Sequence, residues 1–404
     1  MRTDLLTTKL EGFGTSIFAE MSALAVSTGA INLGQGFPDT DGHLSVITAA
    51  TEAMQTGKGN QYPPGPGIPE LRTAIAIHQR TYYNIELNPD GEVLVTAGAT
   101  EAITAALLAI LDTGDECILI EPFFDSYPAG VAMAGARVVP VTLHPVLDPA
   151  TGLRSFKLDL GELKAAITPK TKMLIVNSPH NPTGTVFSED EMTGIAAIAI
   201  EHDLIVISDE AYEHLTFDGV GHTPLCTYPG MWERTITVGS AGKTLSFTGW
   251  KIGWATGPAE LITAVRTAKQ FLTYVSGGPF QYAVAHGLST LGPEYFSGFA
   301  AELQTKRDRL SAGLSDVGFG VYQPRGTYFI TTDVAGFGVT NALAFCRQLP
   351  HVCGVVAVPN SVFYATPGVG ATQVRFAFCK RLDVIDSAVD RLSSLQAALA
   401  KGFS

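Results

Sequence analysis

The sequence predicts an α/β protein: a large domain with a mainly parallel seven-stranded sheet sandwiched by helices, and a smaller α+β domain after it. Three observations predict this. Short β-branched runs recur at "EVLVT" (92–96), "CILI" (117–120), "RVVPVTL" (137–143), "KMLIVN" (172–177), "LIVISDE" (204–210), "TITVGS" (235–240) and "IGWATG" (252–257). Helical patterns such as "TEAITAALLAIL" (100–111) and "SEDEMTGIAAIAIEH" (188–202) lie between most of them. Near-continuous apolar strands alternating with helices imply a parallel sheet covered on both faces. After about residue 290 the order changes, which is the third observation. A long charged helix pattern, "AAELQTKRDRLSAGL" (300–314), is followed by separate strands at 327–334, 355–360 and 373–379 and a closing helix at about 382–400.

A chain of 404 residues is long for one core, so several units are expected. Residues 46–290 are read as the large domain and 291–404 as the smaller one. Residues 1–45 carry little sheet signal and many glycines. They are expected to pack on the smaller domain or on a partner subunit.

Hydrophobic residues make up 46% of the chain and charged residues 16%, a globular composition. The net charge of -12 gives no global field for nucleic acid or anionic lipid, which favours small-molecule work. Five scattered cysteines without a C-x-x-C pair suit buried thiols in a reducing compartment. The start has no apolar core of signal-peptide type, and no run approaches a membrane span. The cytoplasm is the expected compartment.

Ligands of open parallel sheets bind beyond the carboxyl ends of the strands, so the residues following each strand matter most. "AGAT" (97–100) opens a helix, whose N-terminus suits a phosphate. "EPFFDSY" (121–127) places Phe123 and Phe124 past a strand end, where one is available to cover a flat ring. "SPHNPTG" (178–184) brackets Asn181 with two X-Pro bonds, each open to the cis form, in a rigid loop. Asp209 ends a strand that reads as buried, so its carboxylate needs a cationic or hydrogen-bonding partner. A helix cap is the plainer use of that aspartate. Tyr212 lies just beyond it. Ser240, Lys243 and Lys251 fall in "SAGKTLSFTGWKIGWATGP" (240–258). A lysine beside a cavity rather than on a solvated face has a lowered pKa and acts as a nucleophile. Each signal is modest. Together they fit pyridoxal 5'-phosphate (PLP), for which proteins supply a lysine and an aspartate partner of the ring nitrogen. No metal ligand is expected in the site.

On these residues the sequence resembles the fold type I, class I and II aminotransferases. The matching pieces are "QGFPD" (35–39), "NQYPPG" (60–65), "VTAGATEAI" (95–103), "EPFFDSY", "NSPHNPTG", "SDEAYEH", the 240–258 stretch and "VRFAFCKR" (374–381), so they span nearly the whole chain. Within the family it is similar to the N-succinyldiaminopimelate aminotransferases of lysine biosynthesis. It is also similar to the kynurenine aminotransferase/glutamine transaminase K group, which shows cysteine-conjugate β-lyase activity.

The resemblance implies the roles. Lys243 carries the cofactor covalently and moves the proton. Asp209 pairs with the ring nitrogen, and Asn181 and Tyr212 hold the phenolic oxygen. Phe124 stacks on the ring. Ala99, Thr100, Ser240 and Lys251 bind the phosphate, joined by Tyr62 from the partner of a homodimer. Arg375 clamps the substrate carboxylate, Gly36 lets the substrate approach, and Phe18 and Tyr274 line the side-chain pocket. Many relatives have arginine where this chain has Lys251; the kynurenine aminotransferase group also has lysine. The implied reaction moves an amino group from an amino acid to a 2-oxo acid, 2-oxoglutarate being the expected acceptor. N-succinyldiaminopimelate is the first candidate donor. Kynurenine, glutamine or methionine transamination and cysteine-S-conjugate β-lysis are the alternatives. A DNA-binding regulator is disfavoured because no module precedes "NLGQGFPD" and no basic patch exists. A dehydrogenase is disfavoured because no G-x-G-x-x-G follows the first sheet strand.

Overall fold

A computed structural model describes residues 5–400. The first strand, β1 (Ile31–Asn32), lies outside the main sheet. That sheet is built from β2 (Val93–Thr96), β3 (Glu116–Glu121), β4 (Arg137–Leu147), β5 (Arg154–Leu158), β6 (Thr171–Asn177), β7 (Ile205–Asp209), β8 (Thr235–Ser240) and β9 (Gly253–Thr256). Its order is β2-β9-β8-β7-β6-β3-β4-β5. The five central strands β8, β7, β6, β3 and β4 are parallel to one another. β9 is antiparallel to both β2 and β8, and β5 is antiparallel to β4.

The sheet therefore has eight strands, not seven. The added one, "RSFKL", is an edge strand with only two buried residues, too short and too wet to show as an apolar run. Period-2 alternation explains the two covered faces. Cys117, Leu119, Met173 and Ile175 pack with the helices Gly98–Ile110 and Ala259–Lys269. Their chain neighbours Ile118, Ile120, Leu174 and Val176 pack with the helix Glu189–Glu201 on the other face. That helix is started by a Ser188/Glu191 capping box.

A second, four-stranded sheet has the order β10-β11-β14-β13, from β10 (Gly320–Val321), β11 (Phe329–Asp333), β13 (Val358–Pro359) and β14 (Gln373–Ala377). β12 (Val355–Val356) instead pairs with β1. The run 355–360, which reads as one strand, thus splits about Ala357 and serves two sheets. The long helix extends further than its charged pattern, over Pro293–Val317. The closing helix breaks into Leu382–Leu392 and Leu395–Leu399 around two serines. Met21, Ala25 and Leu33 of the N-terminal segment are buried in the same core as β11 and β14. The backbone N–H of Ala377 also donates to Leu33 O at 2.6 Å. The "QGFPD" segment is thereby held between the second sheet and the strand ends of the first.

Candidate active site

The carboxyl ends of β2, β6, β7 and β8 open on one cavity of about 300 Å³. Among its lining residues are Phe18, Gly36, Ala99, Thr100, Phe124, Asn181, Asp209, Tyr212, Ser240, Lys243, Lys251 and Arg375. Twelve of the fourteen residues expected from sequence therefore meet in one place. Phe123 instead turns into the core beneath.

β9 shows how one corner is made. It runs antiparallel, so its beginning faces the cavity and delivers Lys251 beside the start of the helix Gly98–Ile110. Gly253 has no room for a side chain: a Cβ there would sit 2.6 Å from Gly98 C and 2.7 Å from Ala99 N. A Cβ on Gly98, at φ +76°, would lie 3.2 Å from Lys251 Nζ. Lys251 itself holds φ +54°, a left-handed conformation that costs a lysine about 1 kcal/mol. The result is a cradle of backbone N–H groups at a helix N-terminus with an ammonium over it, suited to a dianion.

Lys243 sits on the short helix Ala241–Thr244 directly after β8. Its ammonium donates to the Tyr328 hydroxyl and, at 3.4 Å, to Gly36 O. The Tyr328 hydroxyl donates to the same carbonyl at 2.5 Å. Burial pulls the Lys243 pKa from 10.5 down to about 8, and the charges of Lys251 and Arg375 act in the same direction. Between those two values the folded protein binds fewer protons than the unfolded chain. This group's contribution to stability therefore rises with pH across that window and is least below it. In the cofactor-free protein, the rate at which added PLP is captured should climb ~tenfold per pH unit and level off near pH 8. A rate still climbing toward 10.5 would show Lys243 to be an ordinary lysine.

Asp209 ends β7 and is 6% exposed. Tyr127 donates to its Oδ2 at 2.5 Å and the Ala211 N–H to its Oδ1 at 3.1 Å. Burial raises its pKa, against these bonds. A buried carboxylate short of a cation is what a protonated ring nitrogen would satisfy. Asn177 ends β6, donates to Asp209 O at 2.8 Å and accepts from Asn181 N at 2.8 Å. It ties the loop of Asn181, in which both X-Pro bonds are cis, to the end of β7.

Arg375 lies on β14, in register with Thr331 and Val358. It is 1% exposed, and Phe329 stacks 4.0 Å from its guanidinium carbon, with Phe18 at 5.1 Å. Its two terminal nitrogens donate to Asn181 Oδ1 at 3.1 Å and Gly34 O at 3.0 Å, while Nε has no partner. Burial lowers its pKa to about 10, which leaves it cationic at neutral pH. A buried guanidinium with no carboxylate at salt-bridge distance among the described residues is an anion site. Gly36 is small by necessity, since a Cβ there would lie 2.5 Å from Phe329 Cζ.

One expectation differs within the single chain. Tyr274 does not line its own chain's cavity. It is 51% exposed and packs against Tyr62, itself 83% exposed, with ring centroids 5.7 Å apart. The sequence reading did not single out Tyr328, Tyr127, Asn177 or Phe329, nor Thr248, which also lines the cavity.

The aminotransferase class I and II family model matches residues 28–392. The chain belongs to the class I and II aminotransferases. It is 50% identical over 395 residues to a probable N-succinyldiaminopimelate aminotransferase, DapC, of Mycobacterium tuberculosis, covering 96% of this chain and 98% of that one. The solved structure of the N-succinyldiaminopimelate aminotransferase of that organism superposes with a TM-score of 0.93, covering 96% of this chain and all of that one (100%). YbdL of Escherichia coli, identified as a methionine aminotransferase, gives a TM-score of 0.90 at 35% identity, covering 97% and 100% of the two chains. The kynurenine–oxoglutarate transaminase of Dictyostelium discoideum is 39% identical, covering 95% of each chain. This aminotransferase therefore transfers amino groups between amino and 2-oxo acids, and its family is generally PLP-dependent. No helix among the described residues is long and apolar enough to cross a membrane.

Proposed function

We propose that the cavity holds PLP and that the donor is an N-succinylated diamino dicarboxylate, as in lysine biosynthesis, with 2-oxoglutarate as acceptor. One observation carries the cofactor assignment. Lys243, Asp209 and the Gly98/Lys251 cradle all line a single cavity, an amine, a carboxylate and an anion cradle that suit an aldehyde, a ring nitrogen and a phosphate. Bound there, PLP supplies a cationic ring that withdraws electrons from the substrate Cα and takes up and returns the amino group.

This chain's own residues do the rest. Ala99 and Thr100 offer backbone N–H groups to the phosphate, and Ser240 and Lys251 add a hydroxyl and a charge. Asp209 holds the ring nitrogen protonated, oriented by Tyr127. Asn181 and Tyr212 hold the phenolic oxygen, and Phe124 covers the ring. Arg375 receives the substrate carboxylate. Phe18, which lies over Arg375, forms an apolar wall, and Gly36 leaves space beside it. The Lys243 amine would take the proton from the substrate Cα and give it back, as general base and then acid. The Tyr328 hydroxyl, already bonded to that amine, keeps it aimed at the cavity.

The exposed Tyr62 has no role in its own chain's cavity. Its assignment to the phosphate of a second copy implies a homodimer, and sedimentation of the purified protein tests it. All five cysteines are free and buried, in keeping with a reducing cytoplasm.

The substrate assignment rests on the 50% identity to the N-succinyldiaminopimelate enzyme, against 39% to a kynurenine transaminase. With 2-oxoglutarate as acceptor, N-succinyl-diaminopimelate should exceed kynurenine, methionine and glutamine in kcat/KM by ~tenfold or more, the equivalent of about 1.4 kcal/mol in transition-state binding. A better rate with one of the other three would move the protein to that branch. Pyruvate released from a cysteine conjugate without an oxo acid would reveal β-lysis.

Replacing Arg375 by lysine keeps the charge and loses the fork. KM for any α-amino acid should rise ~10–100-fold with a smaller change in kcat, because the carboxylate is held throughout the reaction. An unchanged KM would remove Arg375 from substrate binding.

A further inference from the structure

A second group of ligating side chains lies behind the cavity. His78 is on the helix Pro69–Tyr83, and Glu213 and His214 follow Tyr212 in the turn that leaves β7. His78 is 2% and Glu213 4% exposed, and His214 is partly buried. The Nε2 atoms of His78 and His214 face each other at 2.8 Å, and Glu213 Oε1 is 3.7 Å from His78 Nε2. One ligand atom from each residue lies within 4.8 Å of the others.

The three do not satisfy one another. Glu213 Oε2 accepts from Gln79 Nε2 at 3.2 Å, but Oε1 is buried without a hydrogen-bond partner. The His78 Nε2 proton can serve His214 or Glu213 but not both fully, and the Tyr83 hydroxyl is the other side-chain donor beside the carboxylate. A buried acceptor without a donor is costly. The His214 ring is fixed by stacking on Phe296, ring centroids 4.2 Å apart, so its nitrogen stays aimed at His78. Glu213 and His214 also line a cavity of about 510 Å³, which supplies an entry path and room for water.

We propose that His78, Glu213 and His214 bind one zinc ion, with a water from that cavity as fourth ligand. Two imidazole nitrogens and one carboxylate oxygen suit zinc, with cobalt and nickel as surrogates, and do not suit magnesium or calcium, which favour oxygen donors. Nitrogens bound at ~2.0–2.1 Å to a tetrahedral ion lie roughly 3.3 Å apart, so the two rings must part by about half an ångström. Filled, the site clamps the helix Pro69–Tyr83 to the turn that carries Asp209 and Tyr212. It takes no part in the transamination chemistry, and its residues do not line the catalytic cavity.

The test uses PLP-loaded protein stripped of metal with a chelator, then titrated with zinc chloride against a chromogenic zinc indicator. Wild type should bind one zinc per chain. His78→Gln and His214→Gln should each weaken that binding at least tenfold while keeping the far-ultraviolet circular dichroism and the cofactor's visible band. Cobalt loading of wild type should give the strong visible d–d absorption of a four-coordinate centre, and both variants should lack it. No stoichiometric zinc, or zinc held as tightly by both folded variants, would overturn the proposal. If the variants do not fold, the cobalt spectrum decides alone, and a weak six-coordinate spectrum in wild type would overturn it.

Discussion

Lys243→Ala protein should lose transamination by ~10³-fold or more, the scale expected when one group serves as nucleophile and as general acid–base. The loss should fall on kcat, because Lys243 binds no distant part of the substrate. Two features set its size. The amine is partly buried just past the end of β8, and desolvation already leaves about half of it able to accept a proton at pH 8. Lys251, also at the cavity, has its ammonium beside Gly98, whereas Lys243 is the amine bonded to Tyr328 and Gly36. The variant should also lack the borohydride-sensitive visible band of the loaded protein. Activity within tenfold of wild type would show that another base does the work.

The second large effect is at Asp209. Asp209→Asn is nearly isosteric and can still receive the Tyr127 hydroxyl, bonded at 2.5 Å in the wild type, so the fold should survive. What disappears is the negative charge opposite the ring nitrogen. The ring would then be neutral for more of the time and draw electrons from Cα less strongly. A fall in kcat of ~10²–10³-fold is expected, with PLP affinity reduced as well, consistent with about 3–4 kcal/mol for losing one preorganised electrostatic partner. A cofactor analogue with a permanently charged ring nitrogen should restore part of the rate, a rescue that a merely structural defect would not show. A normal rate in the Asp209→Asn variant would make the turn-stabilising role of Asp209, through its bond to the Ala211 N–H, its whole purpose.

Much of this site is legible along the chain because strand ends carry their own signals. β7 reads as fully buried up to Asp209, and a charged group closing such a run demands a partner. Asn177 closes β6 in the same manner, but its link between the loops of Asn181 and Asp209 is visible only in the structure.

Tyr328 shows what stays hidden. It stands just before β11 in a stretch that reads as a plain strand, so alternation gives no reason to aim it at Lys243. Thr327, at φ +64°, turns the backbone there and leaves both Tyr328 and Phe329 facing the site. A Gly-Thr pair ahead of an aromatic strand is only a faint signal of that turn. β9 is hidden differently: its apolar run is readable, its direction is not, and only the direction explains why Lys251 reaches the helix at Gly98. Tyr62 and Tyr274 belong to a surface, where one chain's sequence says nothing about what lies opposite. The His78, Glu213 and His214 group joins positions far apart in the chain, and no local spacing marks it.

The central claim is that Lys243 is the amine that carries PLP. Reducing the loaded protein with borohydride, digesting it and mapping the modified peptide by mass tests that claim most directly. The pyridoxyl group should be found on Lys243 at one per chain. Its recovery on Lys251, on Lys269 or on no lysine at all would contradict the account.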